Sequence, residues 1–270
     1  FLAHLNGGHL NLLCFVPVVI CVFAFLKCLD ANQVRYLPQI VAGLSIGYCT
    51  YLCLYYVYFA CLALGLLTLG ALVSRKVKIF CALKRVWLVG LIALLVSLPK
   101  LYGVYSSMAS GEFTSNHAAE RHSADLISFL APGESSLLFG MLDLSNWHAG
   151  VRVNVAESGV YICLSLLVLL CIALRKDWRG RVGGSPRWVL LVGSLLSLLL
   201  ACGPEFQFRG TELLANPIYL IASRLPYFPS VPARFGVMSI FFLCCYFAYS
   251  FKDGGLPGKL ARTVVVLVAL

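Results

Sequence analysis

The chain has 270 residues, 60% of them apolar and 12% charged, with a formal net charge of +10. A soluble domain carries about a quarter charged residues, and here the apolar residues come in long blocks, so the composition excludes an ordinary soluble domain and points to an all-α, polytopic transmembrane bundle. No block sustains a period-two alternation, which argues against a transmembrane barrel.

The chain opens with His4-Leu-Asn-Gly-Gly-His9-Leu-Asn11, a turn that either touches a polar substrate or simply leads into the first span. Apolar runs follow at Leu10–Leu26, Leu37–Leu52, Tyr55–Val73, Val86–Leu98, Val160–Leu174, Trp188–Cys202 and Phe235–Phe251, with a last run from Thr263, about eight membrane segments in all. No initiator Met, basic leader or cleavage site precedes them, and the last run reaches only about 12 Å at the helical rise. The chain is therefore expected to be part of a longer protein.

The stretch Leu37–Val73 would form a rod of roughly 55 Å as one helix, nearly twice a ~30 Å hydrocarbon core. Two helices are expected, and charge supports them. With two, the connections Lys27–Arg35, Ser74–Arg85, Arg175–Arg187 and Lys252–Arg262 share one face carrying 15 cations and 3 acids, against 6 and 8 on the other. The positive-inside rule puts the first face in the cytoplasm of a multi-pass inner-membrane protein. Tyr48, Tyr51, Tyr55, Tyr56 and Tyr58 crowd the proposed outer turn, and Trp87, Trp178 and Trp188 the inner boundary, as aromatic belts do. The net charge thus reads as orientation, and no nucleic-acid partner is expected.

Two outer segments hold the unusual polar residues. Pro99–Glu157 is too long for a simple connector, and its apolar stretches Leu126–Ala131 and Leu137–Leu142 suit interfacial helices. Within it, Glu120-Arg121-His122-Ser123-Ala124-Asp125 brings a carboxylate beside His and Arg, a set that binds phosphate or metal or acts as a base. The plainer alternative is that Ser123 caps a short helix whose dipole Asp125 complements. His117 and His122, five apart, do not share a helical face, so no metal site is expected.

The second segment, Gly203–Arg234, is rich in proline. Asn216-Pro217 reads as the cap and first position of a helix to about Leu225, too short to cross and hence interfacial or re-entrant. Pro226–Pro232 is a stiff extended stretch. Arg234 at the mouth of the next span is placed to hold a lipid phosphate, with Arg224 a weaker partner; the alternative is that both snorkel to ordinary phospholipid. Eleven of the twelve cysteines lie in or beside apolar blocks, with no C-x-x-C pair, so neither a disulfide framework nor a zinc site is expected.

The order of features resembles the bacterial YfhO-like proteins and the wider GT-C class of integral-membrane glycosyltransferases. The likeness rests on Gly8-His9-Leu10-Asn11 with Pro17, on Ser123-Ala124-Asp125-Leu126-Ile127-Ser128-Phe129-Leu130-Ala131-Pro132, on Glu157-Ser158-Gly159-Val160-Tyr161, on Gly203-Pro204, and on Leu225-Pro226-Tyr227-Phe228-Pro229 with Pro232-Ala233-Arg234-Phe235. It implies an enzyme of the cell envelope that takes a sugar from a polyprenyl-phosphate carrier at the outer face, with membrane lipid as its other partner. Under that resemblance Arg234, Arg224 and Arg121 face the phosphate, and Asp125 and His122 line the acceptor side. The acidic motif with the principal base is expected upstream of Phe1, outside this sequence. No cofactor is expected from these residues; a divalent metal would need ligands outside it. The alternatives are a transporter or flippase of lipid-linked or polar solutes, and a non-catalytic membrane scaffold.

Overall fold

The computed structural model describes residues 15–30, 36–75, 77–110, 119–130, 162, 164–179, 187–225 and 228–251. The opening His4–Asn11 turn, the Leu137–Leu142 stretch and the run from Thr263 lie outside them. The chain is mostly helical and divides into two compact units, Phe1–Asn116 and His117–Leu270.

In the first unit, α1 (Val16–Asp30), α2 (Tyr36–Leu52), α3 (Leu54–Val73) and α4 (Ile79–Ala109) alternate in direction. The expected break in Leu37–Val73 falls at Cys53, a single residue with extended backbone (φ −164°, ψ 130°). The chain folds back there. Ala42 and Ile46 before the break share one buried cluster with Ala60 and Leu64 after it, around Cys21, Ala24 and Phe25 of α1. Phe15 at the start of α1 meets the rings of Tyr56 and Phe59 at the start of α3. At the other end of α1, the Arg85 guanidinium of α4 donates to the Leu29 carbonyl at 3.3 Å. The links α1–α2 and α3–α4 therefore emerge at the same end, where Lys27, Arg75, Lys78, Lys84 and Arg85 gather.

Helices α2 and α4 pack closest because α2 turns two glycines toward α4. A Cβ on Gly43 would stand 2.7 Å from the Ile92 Cβ, and one on Gly47 would stand 2.5 Å from the Val96 Cβ. Small residues one turn apart let backbones approach in this way in lipid-facing bundles. The outer face of α4 stays uncovered, with Phe80, Trp87, Leu95 and Tyr102 all more than half exposed.

Helix α4 corrects the expected boundaries at both ends. It starts at Ile79, so Lys84 and Arg85 are helical rather than in a loop, and it runs through Pro99 to Ala109. Lys and Arg are good helix formers, and Arg85 sits buried in the helix by reaching the end of α1.

The second unit contains α5 (Leu164–Arg179), α6 (Arg187–Ala201), a β-hairpin of β1 (Glu205–Phe208) and β2 (Thr211–Ala215), the short α7 (Pro217–Ala222), and α8 (Phe235–Ser250). Helices α6 and α8 run antiparallel, joined midway by a buried Ser194–Ser239 hydroxyl pair at 2.7 Å. Met238, Phe242 and Tyr246 of α8 fill the core. The hairpin departs from the all-α expectation. The expected interfacial helix Leu126–Ala131 is instead a single 3-10 turn over Leu126–Phe129.

Among the described residues, three helical segments are long and apolar enough to cross a membrane: Leu54–Val73, Ile79–Ser107 and Pro232–Ser250. The apolar parts of α1, α5 and α6 are shorter. These segments mark a membrane protein.

Candidate functional site

Two segments singled out from the sequence, Glu120–Asp125 and Pro232–Arg234, meet in the second unit at the C-terminal end of α6. The helix ends because Gly203 takes a left-handed conformation (φ +73°), which a side chain would strain. Space forbids one too: a Cβ there would lie 2.7 Å from the Ser123 Cβ and 3.5 Å from the Pro232 Cγ. The Glu120–Asp125 stretch and the Pro232–Arg234 turn therefore close on the same glycine. The Ala124 amide donates to the Ala201 carbonyl at 2.8 Å, tying the first of these to the helix end.

The chain next forms the hairpin. Its two-residue turn, Arg209-Gly210, has positive φ at both positions (51° and 72°), the geometry that suits a right-twisted two-residue hairpin. Asp125 holds this turn. Its Oδ1 accepts from the Ile127 amide at 3.0 Å and the Arg209 amide at 3.2 Å, and its Oδ2 from the Gly210 amide at 2.8 Å. Arg209 is a non-glycine residue in the left-handed region, a conformation kept only where surroundings enforce it; the carboxylate supplies that enforcement.

Asn216 makes the matching clasp at the hairpin exit. Its backbone amide donates to the Pro204 carbonyl at 2.7 Å, and its side-chain amide donates to the carbonyls of Leu199 at 2.6 Å and Gly203 at 2.8 Å. Its oxygen accepts from the Tyr219 amide, so Asn216 and Pro217 form the expected cap and first position of α7. Beyond α7, Phe228 lies edge-on to Tyr219 (centroids 5.4 Å apart) and stacks on Phe235 at 5.7 Å. Those two rings fasten the proline-rich segment to α7 and α8.

Four of the five expected site residues have described side chains. Arg234 is half-buried at the entrance to α8, and its turn packs against the Ala119–His122 turn, where His122 is also half-buried. Arg224 is exposed after α7. The Arg121 side chain lies outside the described residues. Asp125 is fully buried, and its carboxylate faces the hairpin turn rather than an open acceptor surface. The capping role expected for Ser123 belongs to Asp125, while the Ser123 hydroxyl donates to the Ala119 carbonyl at 2.7 Å. Sequence reasoning missed the hairpin and the Gly203 junction. The signal for the hairpin was Arg-Gly between Phe206-Gln207-Phe208 and Thr211-Glu212-Leu213-Leu214.

Chemically, the site offers a guanidinium and an imidazole at the rim of a rigid, backbone-clasped platform. Among the described residues no group of three or more His, Cys, Asp or Glu side chains is placed to hold a metal. Compared with known proteins, the chain matches no family model, no curated protein and no solved structure.

Proposed function

We propose that the protein is an integral-membrane glycosyltransferase-like enzyme of the inner membrane, acting at the extracytoplasmic face on a sugar carried by a polyprenyl phosphate. The observation that supports this most is the position of Arg234. It stands where the segment Pro232–Ser250 begins, the level at which a lipid phosphate sits. It is held there by the Phe228–Phe235 stack and by the junction at Gly203. A guanidinium offers a planar pair of donors to the departing phosphate and offsets the charge that develops on it. His122, on the neighbouring turn, lies on the acceptor side. Asp125 acts through position, by fixing the hairpin turn against the same platform.

In this reading the chain is a bundle of about eight membrane segments with the basic connections in the cytoplasm. The shared end of the α1–α2 and α3–α4 links is consistent with that arrangement. Reporter fusions after Arg181 and near Asn146 should then report opposite compartments, and the same compartment for both would overturn the topology.

The functional test is Arg234→Ala in the complete protein, assayed for transfer from a polyprenyl-phosphate sugar. A charge-assisted contact of about 1.5–3 kcal/mol corresponds to roughly a ten- to hundredfold loss. Arg234→Lys should recover only part of it, because a point charge lacks the paired donors. Unchanged turnover in Arg234→Ala, with normal expression, would remove the phosphate role.

A further inference from the structure

The hairpin buries a polar side chain and leaves large apolar ones exposed. Its register pairs Gln207 with Glu212, and Phe206 with Leu214 across a bulge, while Phe208 faces Thr211. Cross-strand partners share a face and alternate residues share a face. One face therefore carries Glu205, Gln207 and Glu212, and the other Phe206, Phe208 and Leu214. On β1 the polar Gln207 is turned inward, only 6% exposed, whereas the apolar Phe208 is 48% and its face-mate Leu214 61% exposed; on β2 both faces are open, Glu212 included. Leu213 at the bulge is 55% exposed, and the series continues with Leu220 and Ile221 of α7 and with Leu225 beyond it. Single exposed apolar residues need no explanation, but a cluster on one rigid element marks an interaction surface.

We infer that this apolar face is a membrane anchor, seated in the interfacial layer of the leaflet at the mouth of α8. Level and depth select lipid over a protein partner. The hairpin hangs from the C-terminal end of α6 through Asn216, and the same junction touches Pro232, the first residue of a segment long and apolar enough to cross. The face thus lies at the boundary where the lipid-covered surface of that segment begins and continues it outward. The exposed Arg209 and Arg224 flank the apolar series, with the stems and charged heads that snorkel toward phosphates. All five residues of β2 are exposed, and its outer edge pairs with no strand among the described residues. Edge backbone groups require water or headgroup partners and do not enter hydrocarbon, so the seat is shallow. The inference rests on the membrane placement of this unit and not on the transferase chemistry.

The test places photoreactive benzoylphenylalanine at Leu214, at Phe208, or at Glu212 on the opposite face, in the complete protein. Each variant is reconstituted into vesicles of phosphatidylethanolamine and phosphatidylglycerol, irradiated, and examined by intact mass for lipid adducts. The expected result is several-fold more lipid adduct at Leu214 and Phe208 than at Glu212. Adducts to protein at Leu214 and Phe208 would assign the face to a partner or a second copy, equal lipid adducts at all three would mean that the apolar face is not what seats the hairpin, and absent adducts would leave it in water; each overturns the anchor. The readout needs no turnover, so an inactive protein that still gives the lipid pattern would separate the anchor from the transferase reading.

Discussion

The two units of the molecule are held together by different kinds of contact. In the first unit the small hydroxyls in the helices answer locally: Ser45, Thr68 and Ser97 each donate to the carbonyl four residues earlier, and Thr50 to the one three earlier, while Tyr51 and Arg85 reach the carbonyls of Val96 and Leu29 on other helices. Between α2 and α4 the helices approach closely at Gly43 and Gly47. At the end of α6 in the second unit the bonds reach across the chain. Asp125 takes amides 84 and 85 residues away, and Asn216 reaches back 17 and 13 residues. The contrast follows from solvent. A helix in lipid satisfies its own backbone, whereas the irregular chain at a helix end has orphan groups that only side chains, water or other backbone can answer.

The largest effect is therefore expected at Asp125. Asp125→Ala leaves the two turn amides and the Ile127 amide without their acceptor, and each donor left unsatisfied in a buried site costs about 1–3 kcal/mol. Asp125→Asn keeps one acceptor oxygen and should cost clearly less. Denaturation in detergent micelles, following the hairpin by hydrogen exchange at Arg209 and Gly210, measures both. An alanine variant within about 1 kcal/mol of the parent would mean that the clasp is not what holds the turn.

The first unit should fail by a steric route instead. Gly47→Ala forces a methyl into contact with Val96, and overpacking of this kind costs about 1–3 kcal/mol. Gly65→Ala, whose added Cβ would meet nothing within 4 Å, should be neutral or stabilising by up to about 1 kcal/mol through helix propensity. Similar losses for the two would mean that glycine freedom, not α2–α4 approach, is what matters.

How far each region could be read in advance follows the same division. The fold-back at Cys53 was legible because length and charge both count residues along the chain, and neither needs a tertiary contact. The Asn216-Pro217 cap was legible because a cap is a local motif. The start of α4 was misjudged because a run of Lys and Arg resembles a connection, and only the Leu29 carbonyl, 56 residues earlier, gives Arg85 a reason to be buried in a helix. The hairpin was hidden for a different reason. Strands of four and five residues leave almost no periodic trace beside apolar blocks four times as long, and the acceptor for their turn comes from a segment far upstream. Asp125 was picked out as a carboxylate beside His and Arg, and Arg234 as a guanidinium at the mouth of a span, but the sequence could not separate a carboxylate that clasps backbone from a cation at a rim.

The smallest expected effect tests whether long-range bonding in the second unit extends into its helices. Ser194 and Ser239 share a buried hydroxyl pair between α6 and α8. A serine in a helix can turn its hydroxyl to the carbonyl one turn back, as Ser197 does toward Gly193 at 2.8 Å. When one partner is removed the other has that refuge, so Ser194→Ala should cost only about 0.6 kcal/mol, the typical worth of an interhelical bond in a membrane protein. The Ser194→Ala, Ser239→Ala double variant should cost little more than either single change. A coupling above about 2 kcal/mol in that cycle would instead make the pair a principal bond between α6 and α8, and the division between locally bonded helices and a cross-bonded end would no longer hold.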